Sequence, residues 1–214
     1  MELKLPIVIY AGPSLNSNST SLIKEKSLDL RPPIKRHDIP ELLSEGFEGT
    51  IVIVDGVFHQ NLALGHAELR NALEKGIQIF GLSSIGAIRA YEMRFLGMKG
   101  YGKVFNYFMN EDDFQDDEVA LKYFPLPPYT EMSEPLVHFR VCIDYLIETK
   151  RISNEHGVEI ISNLKSRYFG DRTMKLFLNL LSQYSNESAE LVKDDFDRFR
   201  IKKIDLVNFL KNEI

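Results

Sequence analysis

Residues 77–95 read Ile-Gln-Ile-Phe-Gly-Leu-Ser-Ser-Ile-Gly-Ala-Ile-Arg-Ala-Tyr-Glu-Met-Arg-Phe. The first part, Ile77 to Leu82, is short, apolar and rich in β-branched residues, and Gly76 precedes it. This is the pattern of a buried strand. From Ile85 onward the pattern is helical. The join contains Ser83, Ser84 and Gly86, with Gly81 just upstream. A strand that turns into a helix through small residues exposes side chains at its carboxyl end and aims main-chain N–H groups at whatever lies there. The turn therefore reads as the centre of a site for a small anionic or acyl group.

Two further strands support the same architecture. Leu5 to Tyr10 ends in Ala-Gly-Pro-Ser, and Thr50 to Val54 ends in Asp55-Gly56. Helices are expected over Ile39–Glu45, Phe58–Glu74 and from Ile85, and Ser14 is a candidate cap for a short helix after the first strand. Strands alternating with helices predict an α/β fold with a parallel sheet flanked by helices. In such a sheet the three polar turns share one edge, where ligands bind. Gly97 to Gly102 reads as a loop, Val104 to Met109 as a short helix and Val119 to Phe124 as a strand. Pro125, Pro127 and Pro128 mark a loop or linker. From Pro135 the chain reads as helices over Leu136–Lys150, from a Ser153 cap, over Arg172–Tyr184 and Glu187–Phe199, with Asp205 capping a last short one. The expected division is an α/β core over 1–128 and an all-helical C-terminal part over 129–214.

Composition narrows the class. The 214 residues are 44% hydrophobic and 27% charged, the balance of a globular protein, and the net charge of −5 argues against a nucleic-acid surface. No run approaches the ~20 apolar residues of a membrane span. The N-terminus has no signal-peptide pattern, so a cytoplasmic protein is expected. One cysteine, Cys142, precludes an internal disulfide and a Cys-only metal site. Its apolar helical surroundings place it in a core. Neither a G-x-x-x-x-G-K-[ST] loop nor a strand-linked G-x-G-x-x-G is present, so no nucleotide cofactor is indicated.

The candidate site residues are polar groups near the predicted sheet edge. Ser83 and Ser84 serve either as helix caps or as a nucleophile and anion-binding pair. Asp55 ends a strand, where a base or ligand sits in many α/β proteins, and Asp-Gly is also a common turn. His66 falls on the apolar stripe Phe58, Leu62, His66, Leu69, Leu73, with the chain order Asp55, His66, Ser83 found among hydrolase triads. Glu68 is expected to face solvent. Arg89 and Glu92 pair at i,i+3. Glu92, on the stripe Ile85, Ile88, Glu92, Phe95, is expected to point inward. Ser14, Arg36 and Asp38 are further candidates for the edge. Asp116-Asp117-Glu118 reads as a solvated helix start, with divalent-cation binding as the alternative.

Several motifs in order resemble the TfuA-like family. They are G-P-S-L at Gly12–Leu15, Pro32-Pro33 with a basic-acidic pair after it, D-G-V-F at Asp55–Phe58 and H-A-E-L at His66–Leu69. G-L-S-S-I-G-A-I-R-A-Y-E at Gly81–Glu92, G-M-K-G-Y-G at Gly97–Gly102 and D-D-E-V-A at Asp116–Ala120 continue the match. The resemblance spans roughly residues 5–140. Where the family has Arg-Gly-Asp near the prolines, this chain has Arg36-His37-Asp38.

The resemblance implies a partner of YcaO-type cyclodehydratases or thioamide synthetases in peptide backbone thioamidation. It would hydrolyse a thiocarboxylated ThiS-like sulfur carrier and deliver the sulfide, without a cofactor or metal of its own. The resemblance marks residues without assigning the steps; for that reaction Ser83, Ser84, His66 and Asp55 are the catalytic candidates. Ser14, Arg36, Arg89 and Glu92 would bind substrate. The competing reading is a non-catalytic adaptor that activates YcaO by contact.

Overall fold

The computed structural model describes residues 3–57 and 63–214. The chain forms two compact units, one comprising Met1–Phe114 with Lys202–Ile214, the other Gln115–Ile201. These units depart from a division at residue 128, because the C-terminal segment returns to the first unit.

The first unit is built on five parallel strands: β1 (Ile7–Tyr10), β2 (Asp29–Arg31), β3 (Thr50–Ile53), β4 (Gln78–Leu82) and β5 (Lys99–Tyr101). Their order is β2-β1-β3-β4-β5. The chain leaves β1 toward β2, then crosses back to β3 and continues the other way. The direction of winding thus reverses between β1 and β3, the place where doubly wound sheets leave a crevice at the carboxyl ends of their strands.

Both faces of the sheet are buried, which is why its central strands are continuous apolar runs. Val8, Tyr10, Ile51, Ile53, Ile77 and Ile79 face one core with Ile39, Leu42, Leu69, Ala72 and Ile85. These last come from α2 (Asp38–Ser44), α3 (His66–Glu74) and α4 (Ile85–Met93). Ile7, Ile9, Val52, Val54, Phe80 and Leu82 face the other core with Ile23, Leu206, Phe209 and Leu210. Those belong to α1 (Ser17–Glu25) and to α10 (Ile201–Asn212), whose first residue closes the second unit. Gly86 lets α4 press onto the sheet. A Cβ there would lie 1.8 Å from the Ile53 carbonyl oxygen, and one on Gly81 would lie 2.0 Å from the Gly86 carbonyl oxygen.

The second unit packs α6 (Leu136–Glu148), α7 (Asn154–Lys165), α8 (Met174–Ser182) and α9 (Asn186–Asp195) around Phe139, Leu164, Phe177 and Phe196. Cys142 lies in this core, and burial pushes its thiol pKa well above the ordinary value. Ser153 and Thr173 cap α7 and α8 by accepting from His156 N and Leu176 N. Asn16, rather than Ser14, caps α1, in a capping box with Ser19.

Three other expectations change. β2 and β5 were not legible as strands; each has three residues and lies at an edge of the sheet. Val119–Phe124 forms no strand: only Tyr123 bridges, to Glu131, in a helical unit with no sheet to join. Asp205 lies inside α10 and caps a different helix, α5 (Gly102–Asn110), by accepting from Lys103 N at 2.9 Å and Val104 N at 3.0 Å.

Candidate functional site

All five strands are parallel, so the segments that follow them meet at one edge of the sheet. Asp55 stands next to the reversal point. Its Oδ2 accepts from Gly12 N and Ser14 N, both at 2.9 Å, and its Oδ1 accepts from the Ser14 hydroxyl at 2.8 Å. Asp55 and Ser14 are almost fully buried. A carboxylate that takes two amides and a hydroxyl is a brace between the β1 and β3 ends.

The serine turn is adjacent, because Gly86 N donates to the Val54 carbonyl. Ser83 occupies the left-handed region with φ 66°. Its hydroxyl donates to the Lys202 carbonyl at 2.7 Å and it is fully buried. Ser84 is 3% exposed and makes no side-chain cap bond, while its carbonyl accepts from Ala87 N and Ile88 N. The two hydroxyls are therefore enclosed, and the turn's main-chain groups are largely directed into the fold.

The more exposed chemistry lies at the first turn of α3 and in the second half of α4. His66 is the first residue of α3 and its side chain is 55% exposed. It does not lie on the buried stripe, which here runs through Leu69 and Ala72; its Phe58 and Leu62 members fall outside the described residues. Glu92 also departs from its expected place. Its side chain is 33% exposed, because α4 packs by Ile85, Gly86, Ala87, Ile88, Ala90 and Met93. Phe95, expected on the same stripe, is 85% exposed beyond the end of α4.

Glu92 joins two of the candidate residues. Its Oε2 lies 2.9 Å from His66 Nε2 and accepts from Arg89 Nη1 at 2.6 Å. Arg89 Nε donates to the Leu64 carbonyl at 3.2 Å, which ties α4 to the segment before α3. Arg36, ahead of α2, has its Nε 4.0 Å from Glu68 Oε1. Glu68 is not turned to solvent: its side chain is 12% exposed and Oε2 accepts from His37 N at 3.1 Å.

The structure thus separates the candidates into an enclosed set, Ser14, Asp55, Ser83 and Ser84, and a more exposed set, Arg36, His66, Glu92 and Arg89, whose side chains are 42%, 55%, 33% and only 15% exposed. Asp55 is hydrogen-bonded to Ser14 and Ser83 to α10, so neither makes the bond to His66 that a Ser-His-Asp relay uses. The exposed set has chemistry of its own. In the tautomer that donates Nε2–H to Glu92, His66 keeps Nδ1 as a proton acceptor. Arg89, fixed by two bonds, supplies a cation beside it.

Asp116–Glu118 is a 3-10 turn whose carboxylates are engaged inside the second unit. Glu118 is fully buried and takes both Arg140 Nε at 2.8 Å and Nη2 at 2.7 Å; Asp117 Oδ2 takes Arg172 Nη2 at 2.6 Å. Among the described residues no three His, Cys, Asp or Glu side chains are grouped as a metal ion requires, and no helix is long and apolar enough to cross a membrane.

Sequence reasoning missed Glu68 as the partner of His37, Lys202 as the partner of Ser83 and Asp205 as the cap of α5. A glutamate at the third position of a helix is a signal for the first. The other two are more than 100 residues from their partners, and nothing local announces them.

Compared with known proteins, residues 55–173 match the family described as TfuA-like protein, which is more than half of the chain. No curated protein matches it. The matched span includes Asp55, His66, Ser83, Arg89 and Glu92, leaves out Ser14 and Arg36, and continues into the helical unit.

Proposed function

The chain belongs to the TfuA-like family, and on that premise we propose that it partners a YcaO enzyme in peptide backbone thioamidation. It hydrolyses a thiocarboxylated ThiS-like carrier and releases sulfide for delivery. The observation that carries the hydrolytic reading is the Glu92 carboxylate holding His66 at 2.9 Å and Arg89 at 2.6 Å, with the His66 side chain 55% exposed.

The reaction is R–COS⁻ + H₂O → R–COO⁻ + H₂S. Water oxygen bonds to the thiocarboxylate carbon, the carbon–sulfur bond breaks and the sulfur leaves with the water's protons. His66 Nδ1 accepts a proton from the attacking water, and Glu92 steadies the imidazolium that forms. Arg89 binds the carrier's terminal group and stabilises the oxyanion of the tetrahedral intermediate. Asp55 and Ser14 brace the ends of β1 and β3, and Ser83 and Ser84 shape the turn that starts α4.

The test is purified protein incubated with the thiocarboxylated carrier alone. Sulfide release that is lost in His66→Ala and Arg89→Ala supports the enzyme. Absence of release without YcaO, together with tight binding to YcaO, overturns it in favour of the adaptor.

A further inference from the structure

Glu68 occupies the third position of α3, where a glutamate ordinarily turns back to the N–H of its own helix cap. Here the cap is Gly65, and the Glu68 carboxylate reaches instead across 31 residues to His37 N at 3.1 Å. His37 is held with φ 79°, an uncommon conformation for a side-chain-bearing residue. Arg36, immediately before it, is 42% exposed and faces the other carboxylate oxygen. Glu68 therefore holds the main chain of the segment leading into α2 by a hydrogen bond and draws the Arg36 guanidinium toward it by charge at 4.0 Å. On the same turn of α3, His66 is bonded to Glu92, which holds Arg89. Two arginines, each paired with a carboxylate, are thereby brought to the first turn of α3.

We propose that Glu68 is a positioning residue that presents Arg36 as a second anchor for the carboxyl-terminal tail of an anionic peptide or carrier substrate. This inference rests on the hydrolytic reading only for its kinetic arm. Arg89 holds the terminal group at the reacting carbon, and Arg36 holds a main-chain carbonyl farther back along the tail. Removing the Glu68 charge loosens its hold on the segment and on Arg36 and costs binding rather than turnover.

The experiment uses the full chain with Glu68→Gln, Glu68→Asp, Arg36→Gln and the double variant Glu68→Gln/Arg36→Gln. Two probes are compared, a peptide ending in a carboxylate and the same peptide ending in a thiocarboxylate. Fluorescence anisotropy gives Kd for the first, and sulfide release gives KM and kcat for the second. Glu68→Gln is expected to raise Kd and KM about tenfold, the worth of one charge-assisted hydrogen bond, with kcat within about twofold. The double variant is expected to lose no more than Arg36→Gln alone, because the two residues act as one unit. Glu68→Asp, with its shorter reach, is expected to behave like Glu68→Gln. Unchanged Kd in Glu68→Gln, or losses that simply add in the double variant, overturn the proposal. If the wild-type chain releases no sulfide yet the Kd pattern holds, the hydrolytic reading falls and the role of Glu68 stands.

Discussion

At the enclosed part of the sheet edge, Asp55, Ser83 and Asp205 direct their hydrogen bonds mainly to main-chain groups. At the exposed part, His66, Arg89 and Glu92 form a connected set of side-chain bonds, and Arg36 pairs with Glu68. The first arrangement fixes where the backbone goes. The second leaves the His66 ring, 55% exposed, facing water. Polar residues near a sheet's ligand-binding edge are therefore not equivalent, and their partners tell construction from chemistry.

The contrast is broken most severely at Asp55. Asp55→Ala strands two amide donors and the Ser14 hydroxyl in a buried place. At roughly 1–3 kcal/mol for each orphaned group, and with partial relaxation, a loss of about 4 kcal/mol is expected in urea unfolding. A loss below about 1 kcal/mol would show that the brace is incidental.

Asp205 gives a pH signature. Burial pushes its pKa from 3.8 up to about 6, and the bonds from Val104 N and Lys103 N and the Lys103 charge only partly oppose this. A raised acid pKa means that the folded state holds the proton more tightly. The stability from this group is fully present below pH 3.8 and is lost as pH rises through about 6. The change is on the order of 3 kcal/mol. Asp205→Asn is expected to remove that slope, so its stability relative to wild type climbs between pH 4 and 7. A parallel pair of curves would contradict the assignment.

Glu134, in the helical unit, has the opposite sign. Burial raises its pKa, but His138 at 2.9 Å and Arg200 outweigh this and hold it at about 2. Its stability is present above pH 4.5 and is lost as pH falls through about 2. The slope removed by Asp205→Asn therefore lies in a different window.

Smaller effects sharpen the comparison. Ser83→Ala removes one buried hydrogen bond to the Lys202 carbonyl and is expected to cost about 1 kcal/mol in unfolding free energy. Glu92→Gln, in an exposed cluster, is expected to shift stability by about 0.5 kcal/mol or less while lowering sulfide release. A Glu92 variant that unfolds the protein would move this residue into the enclosed class.

The sheet was legible because β1, β3 and β4 are buried on both faces, which writes them as unbroken apolar runs. β2 and β5, at the edges and three residues long, carry no such run. The site was legible as a set of residues but not as a geometry. Glu92 was read inward from a stripe that α4 uses only at Ile85 and Ile88, since its buried face continues through Ala90 and Met93. His66 was read as part of a stripe although the helix begins at that residue. The enclosure of Ser83 depends on Lys202, and the α10 residues pack onto the sheet only after an 87-residue unit, Gln115–Ile201, has intervened.

The most direct measurement is kcat for sulfide release from a thiocarboxylated ThiS-like carrier by the purified wild type, His66→Ala and Ser84→Ala. The exposed set carrying the chemistry predicts that His66→Ala falls by at least about a hundredfold, with Ser84→Ala within a few-fold of wild type. A catalytic collapse in Ser84→Ala, with His66→Ala unaffected, would contradict it.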